Sequence, residues 1–430
     1  MRDGGRIAAA IEVLTEINDR RRPVQEALKD WGNKHRFAGS GDRVAIGNLV
    51  FDALRHKLSH AQAMGSESAR ALVLATYIWG WGNQVEKLEQ VMEEDRHAPE
   101  PLSDAERTAL IENKQVGDND QISANIPEWL WPHFQENFGD DALAVGRSLS
   151  ERAPIDMRVN TVKSSQDKVL KRLSHLHPEA SGLSPVGVRL EPVVGPRKSP
   201  HVQAEESFRK GWFELQDEAS QIASILSGAQ PGEQVLDLCA GGGGKSLALA
   251  AQMQNKGQIY AYDAHKTRLA PLYDRMARAG VRNIQTIDPQ TGSLDICDGK
   301  MDRVFVDAPC SGTGVWRRRP DTKWRVTENA LNGRIEDQAQ VLETATRFVR
   351  SGGKLIYATC SLVPAENQLQ VQAFLEKHPD FKLVDLAPVW EGHFGEVSSR
   401  RPLFKDGGMI TLTPHHTGTD GFFIAMMERD

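Results

Sequence analysis

Four consecutive glycines, Gly241, Gly242, Gly243 and Gly244, constrain this chain's fold more than any other stretch. They follow the short apolar run Val235-Leu236-Asp237-Leu238 and the pair Cys239-Ala240. They lead through Lys245 and Ser246 into a helical pattern that begins near Leu247, so the stretch reads strand, turn, helix. Glycine at such a turn lets the backbone approach a ligand. The next strand-like run, Ile259-Tyr260-Ala261-Tyr262, ends at Asp263, about 20 residues on, where an acidic side chain accepts hydrogen bonds from ribose hydroxyls. Glycines and acid together imply a nucleoside-containing cofactor. From about residue 211 onward strand and helix patterns alternate, the signature of a doubly wound α/β sheet.

Two further strand ends carry thiols. Val304-Phe305-Val306 runs into Asp307-Ala308-Pro309-Cys310-Ser311, and Leu355-Ile356-Tyr357-Ala358-Thr359 runs into Cys360-Ser361. In an open parallel sheet the crevice beyond the carboxyl ends of the strands is where ligands bind, so both thiols are expected to face a substrate. A lone cysteine is more often core filling, but two strand-end Cys-Ser pairs argue for chemistry. Asp288 follows another strand-like run, 283–287, from which it can meet an adenine amino group. The aromatic and basic residues Trp316, Arg317, Arg318, Arg319, Lys323, Trp324 and Arg325 are expected to offer stacking faces and phosphate contacts.

A length of 430 residues suggests two or three domains. Residues 1–125 read as successive amphipathic helices, with possible caps at Ser40, Asp42 and Ser66 and a basic break at Arg20-Arg21-Arg22-Pro23. The polar stretch 113–125 reads as a linker, 126–210 as a small α+β module, and 211–430 as the chemistry domain. Two strand-like runs, 409–413 and 422–426, are expected to close it as an antiparallel hairpin. A net charge of −6 argues against coating nucleic acid by bulk charge, so any such contact must be local. Four cysteines without disulfide density or metal-ligand spacing suggest a reducing compartment and no metal, and no stretch is long and apolar enough for a membrane span or a signal peptide. A soluble, cytoplasmic and monomeric protein is the expectation.

These motifs resemble those of the RsmB/Fmu/Sun family of bacterial RNA cytosine carbon-5 methyltransferases. The resemblance covers about residues 150–430 and rests on LDLCAGGGGKS at 236–246, Asp263, VDAPCSGTG at 306–314, RRRPDTKW at 317–324, ATCS at 358–361 and DGFF at 420–423. RVN at 158–160 and LQDEAS at 215–220 also look like family segments, and GDRVAIGNLVFDALR in the helical region is similar to a NusB-like domain. The resemblance implies a Rossmann-like domain that binds S-adenosylmethionine through Cys239, Ala240, the four glycines, Lys245, Asp263, Arg268, Asp288 and Asp307. It implies Cys360 as the nucleophile, Cys310 as the thiol assisting release, Asp307 on the cytosine edge, and RNA, of the small ribosomal subunit, as substrate. Where that family usually has Ala-Pro this chain has Gly241-Gly242, which removes a φ-fixing proline from the cofactor loop. Two rivals share parts of this pattern. A non-catalytic RNA-binding assembly factor retaining the fold would tolerate the altered loop, and a nicotinamide-dependent oxidoreductase would use the glycines and Asp263 but leave both cysteine motifs unexplained.

Overall fold

The structure is a computed structural model that describes residues 1–112, 119–395 and 400–430; the first half of the expected linker, 113–118, lies outside the described residues. The described chain packs into two compact units that do not follow chain order. One comprises Met1–Ala153, Pro192–Ser199 and Val315–Val326, the other Pro154–Glu191, Pro200–Gly314 and Thr327–Asp430.

The first unit is helical. Asp3–Arg20, Val24–Lys34, Ser40–Arg55, Lys57–Met64, Ala69–Ala75 and Val85–Glu94 bury their apolar stripes in one core that includes Ile7, Leu14, Ile46, Leu49, Leu72 and Leu88. Local chemistry sets the helix ends. Asp42 Oδ2 accepts from the Gly39 amide (3.0 Å), and Ser68 rather than Ser66 caps the helix that begins at Ala69. The first helix stops where Arg21 turns left-handed, and Arg22 of the basic break pairs with Glu16 and Asp30, each at 2.6 Å.

Residues 315–326 belong to this core, and the expected nucleic-acid contact surface is corrected accordingly. Trp316 is completely buried and stacks on Phe134 at 5.8 Å between ring centroids, while the Trp324 indole donates to the Leu54 carbonyl (2.8 Å). Lys323, 1% exposed, donates to Ser150 Oγ (3.2 Å) and lies over the Trp316 and Trp324 rings. The aromatic faces are spent on packing, because each indole buries more apolar surface in a helical core than an exposed platform would. Arg318, Arg319 and Arg325 remain exposed.

The second unit contains two sheets. The smaller has the order β2-β3-β1-β4, all antiparallel, from β1 (Ile155–Val159), β2 (Glu179–Ala180), β3 (Gly187–Leu190) and β4 (Phe213–Leu215); β4 lies beyond the boundary expected at 210. A helix, Gln166–Arg172, covers it with Val169, against Met157, Val188 and Phe213. The larger sheet is built from β5 (Gln234–Asp237), β6 (Gln258–Tyr262), β7 (Ile284–Ile287), β8 (Met301–Asp307), β9 (Val349–Thr359), β10 (Phe381–Leu383), β11 (Leu403–Lys405), β12 (Met409–Leu412) and β13 (Phe422–Arg429). Its order is β11-β12-β13-β9-β8-β5-β6-β7, with β10 on β13. The strands β7-β6-β5-β8-β9 are parallel, and β12 and β13 form the antiparallel hairpin expected from their alternation. Chain order reverses between β5 and its two neighbours β6 and β8, which opens a crevice at their carboxyl ends.

Candidate active site

The residues singled out at strand ends lie along this crevice. Asp237 ends β5 and lies opposite Phe305 of β8, while Asp307 ends β8 opposite Ala358 of β9, so parallel register alone brings the Asp307–Cys310 loop beside Thr359 and Cys360. The two sulfurs approach to 3.3 Å. Both thiols are half-buried, and the Cys310 thiol is pushed well up from its ordinary range, first by its hydrogen bond to Cys360 and then by burial. A thiol so raised keeps its proton at neutral pH.

Asp307 is joined to Lys245 Nζ at 2.6 Å; the lysine is 8% exposed and also lies over the Phe422 ring, 5.0 Å from its centroid. Lys245, which the resemblance places among the cofactor-binding residues, therefore meets a carboxylate of this chain. The strand-end carboxyl that burial raises, to about 7, is Asp237, despite the hydrogen bond it accepts from Ser246 Oγ (2.6 Å).

The glycine loop leaves β5 through Cys239 and Ala240, whose amide donates to the Tyr262 carbonyl (2.8 Å). Burial pushes the Cys239 thiol well up, so it stays protonated as wall rather than reactant. Gly241 (φ +52°) and Gly243 (φ +77°) adopt the left-handed conformation, and a Cβ on Gly243 would fall 2.2 Å from Leu272 Cδ1. Gly244 then opens the helix Gly244–Gln252. Asp263 holds the loop from the next strand: its Oδ2 accepts from the Gly241 amide (3.0 Å), its Oδ1 from the His265 amide (2.9 Å), and Arg268 lies 3.3 Å away. Its Oδ1 keeps a second lone pair beyond these contacts. Asp288 stands after β7, paired with Lys266 at 2.5 Å. The glycine cradle and the buried, unpartnered Asp237 Oδ1 fit a nucleoside cofactor at the start of this helix.

Three contributors escaped the sequence reading. Arg275 donates to the Gly242 carbonyl (2.5 Å) and is held by Glu214 of β4 (3.1 Å), a side-chain brace for a loop that lacks proline. Glu366 and Gln338 lie beneath the two cysteine loops: Gln338 donates to Glu366 Oε1 (3.1 Å) and to the Pro309 carbonyl (2.9 Å). No local motif marks these residues, since the partners just named lie at least 28 residues away from them.

Comparison with known proteins follows the same division. Residues 224–428 match the model of the 16S rRNA methyltransferase RsmB/F family, and residues 126–195 match the RsmF/B-like ferredoxin-like domain. The Synechocystis protein named "Probable ribosomal RNA small subunit methyltransferase B" is 32% identical over 330 residues, 74% of this chain and 71% of its own length. Ribosomal RNA small subunit methyltransferase B of Cronobacter sakazakii is 33% identical over 308 residues, 70% of this chain and 66% of its own length. Among solved structures, PH0851 superposes with a TM-score of 0.73 at 27% identity, covering 100% of this chain and 99% of that one. A methyltransferase homolog protein from Pyrococcus horikoshii gives 0.59 at 26% identity, over 72% and 98%. With the Rossmann-like sheet, the ferredoxin-like module and the strand-end cysteines in place, the chain belongs to the RsmB/F family of 16S rRNA methyltransferases.

Proposed function

We propose that this protein transfers a methyl group from S-adenosylmethionine to carbon 5 of a cytosine in RNA, with small-subunit ribosomal RNA as the substrate, through a covalent adduct between Cys360 and carbon 6. The observation that carries the reading is the pair of sulfurs at 3.3 Å beside the Asp307–Lys245 ion pair, where the carboxyl ends of adjacent strands meet the start of the helix Gly244–Gln252. The names of its relatives point to the RNA.

Bound S-adenosylmethionine supplies an electrophilic methyl group. Gly241, Gly243 and the helix that begins at Gly244 would hold it, with Asp263 on its ribose, Asp288 toward its adenine, and Arg268 beside Asp263. Cytosine carbon 5 is too weak a nucleophile unaided, so the Cys360 thiolate first adds to carbon 6 and the ring double-bond electrons move toward carbon 5. Asp307, kept in place by Lys245, accepts a hydrogen bond from the cytosine edge and favours a protonated ring nitrogen there, which offsets the negative charge that the thiolate brings to the ring. After carbon 5 has gained the methyl group, solvent water takes its proton and those electrons re-form the carbon 5–carbon 6 double bond. Cys360 then leaves as the thiolate, with Cys310 the nearby thiol that assists its departure. The target base must leave its stack to reach the sulfurs.

The test is transfer of labelled methyl from S-adenosylmethionine to ribosomal RNA lacking its own modification. Cys360→Ala is expected to lose transfer by about 10³-fold or more, and Cys310→Ala to accumulate a covalent RNA adduct. Absence of transfer by the wild type, with RNA still bound, would favour the assembly-factor reading.

A further inference from the structure

We infer that Glu366 is the positioning residue that sets the spacing of the two thiols, by accepting hydrogen bonds from both residues that follow them. It is fully buried on the 3₁₀ turn Pro364–Glu366, six positions after Cys360. Its Oε1 accepts from the Ser311 amide (2.7 Å) and Gln338 Nε2 (3.1 Å), and its Oε2 accepts from Ser311 Oγ (2.5 Å) and from Ser361 Oγ. A carboxylate has about four lone-pair sites, and these four bonds occupy them.

The arrangement places two dipeptides side by side. Cys310 faces Cys360 with 3.3 Å between sulfurs, and Ser311 faces Ser361 with 3.3 Å between hydroxyl oxygens. One carboxylate thus ties together loops that belong to different strands and are separated by 50 residues. The turn that carries it is fixed from behind. Tyr357 Oη donates to the Glu366 carbonyl (2.6 Å), Asn367 Nδ2 to the Ser361 carbonyl (2.9 Å), and Thr359 Oγ1 to Asn367 Oδ1 (2.6 Å). Gln338, which also reaches the Pro309 carbonyl, extends the grip to the other side of Cys310. All four bonds come from neutral donors, and together they form one clamp on the two loops. Its consequence is geometric: neither Cys-Ser loop can shift without breaking bonds to a carboxylate that the other loop also holds.

The inference rests on the thiol-adduct reading above, and its test uses the sulfur spacing directly. Hydrogen peroxide oxidises the two thiols of the full-length protein to a Cys310–Cys360 disulfide, two thiol hydrogens leaving as peroxide is reduced to two waters. The joined peptide is followed by mass spectrometry without RNA or S-adenosylmethionine. Wild type is expected to close the disulfide. Glu366→Ala is expected to close it about 10–100-fold more slowly, with kcat for methyl transfer falling by a similar factor and KM for S-adenosylmethionine within about twofold. Glu366→Gln, which keeps one acceptor oxygen and lets the serine hydroxyls turn to accept from its amide, is expected to retain a disulfide rate within about threefold of wild type. If Glu366→Ala does not fold, the double variant Ser311→Ala with Ser361→Ala removes two of the four bonds and is expected to slow closure about tenfold. Closure at the wild-type rate in a folded Glu366→Ala or in the serine double variant overturns the inference, as does a wild type that forms no disulfide. Slow closure in Glu366→Ala alongside a wild type that transfers no methyl would keep the spacer role and reject the cytosine chemistry.

Discussion

Burial at the end of β5 raises the Asp237 carboxyl to about 7, and the negative charge of Asp307 adds to the effect while Ser246 and Lys245 oppose it. Between the ordinary carboxylate range near pH 4 and pH 7, the folded state keeps a proton that the unfolded state has released. Stability therefore falls as pH rises through that window. Asp237→Asn removes this titration and still accepts from Ser246, so its urea midpoint should hold level where wild type declines, the gap growing by at most about 1.4 kcal/mol per pH unit. Equal slopes for the two proteins between pH 4.5 and 7.5 would contradict it. Lys323 gives the opposite sign. Burial lowers it from 10.5 to about 7, so between those values the unfolded state holds the proton and stability rises with pH. Lys323→Met, similar in length and uncharged, should remove that rise and stabilise the protein at pH 7 by about 1–4 kcal/mol, measured by denaturant titration.

At the scale of elements, the site depends on how closely neighbouring loops approach. Gly314, at the end of the Cys310 loop, donates its amide to the Cys360 carbonyl (2.9 Å) and accepts from the Gly421 amide (2.8 Å). A Cβ there would lie 2.1 Å from the Gly421 carbonyl oxygen, a backbone atom that cannot swing aside. Gly314→Ala should therefore cost about 3 kcal/mol or more and reduce the yield of folded protein, read by thermal melting. A melt within a degree or two of wild type would show that the loop can separate from the 420–421 segment. The glycine cradle tells a related story: the proline absent at Gly242 is replaced by a contact from Arg275, a helix residue anchored on β4, rather than by another backbone constraint. Elements belonging to both sheets of the second unit thus converge on the cofactor loop.

For the whole molecule, contiguity in sequence and contiguity in space diverge. Removing the N-terminal 153 residues would leave Val315–Val326 without the core that holds it, since Phe134 stacks on Trp316 and the Leu54 carbonyl receives the Trp324 indole. A chain of residues 154–430 should bind more hydrophobic dye and scatter more light than the full-length protein; a monodisperse fragment with full-length dye binding would contradict this. The strand, glycine turn and helix at 235–252, the strand-end acids and the two Cys-Ser pairs were legible because alternation, turn chemistry and helix starts are set within a few residues. Trp316 and Lys323 were misread as a contact surface because exposure is decided by what packs on a segment from elsewhere in the chain. Glu366 carried no signal because, although Ser361 lies five residues before it, the partners that give it its role, Ser311 and Gln338, lie 55 and 28 residues away. The sequence by itself determined the α/β alternation and which chemical groups end its strands. Tertiary structure alone decided the 3.3 Å between the sulfurs, the pairing of Lys245 with Asp307 and the unit that claims residues 315–326. Each of those depends on the register and burial of segments far apart in the chain, which no local pattern encodes.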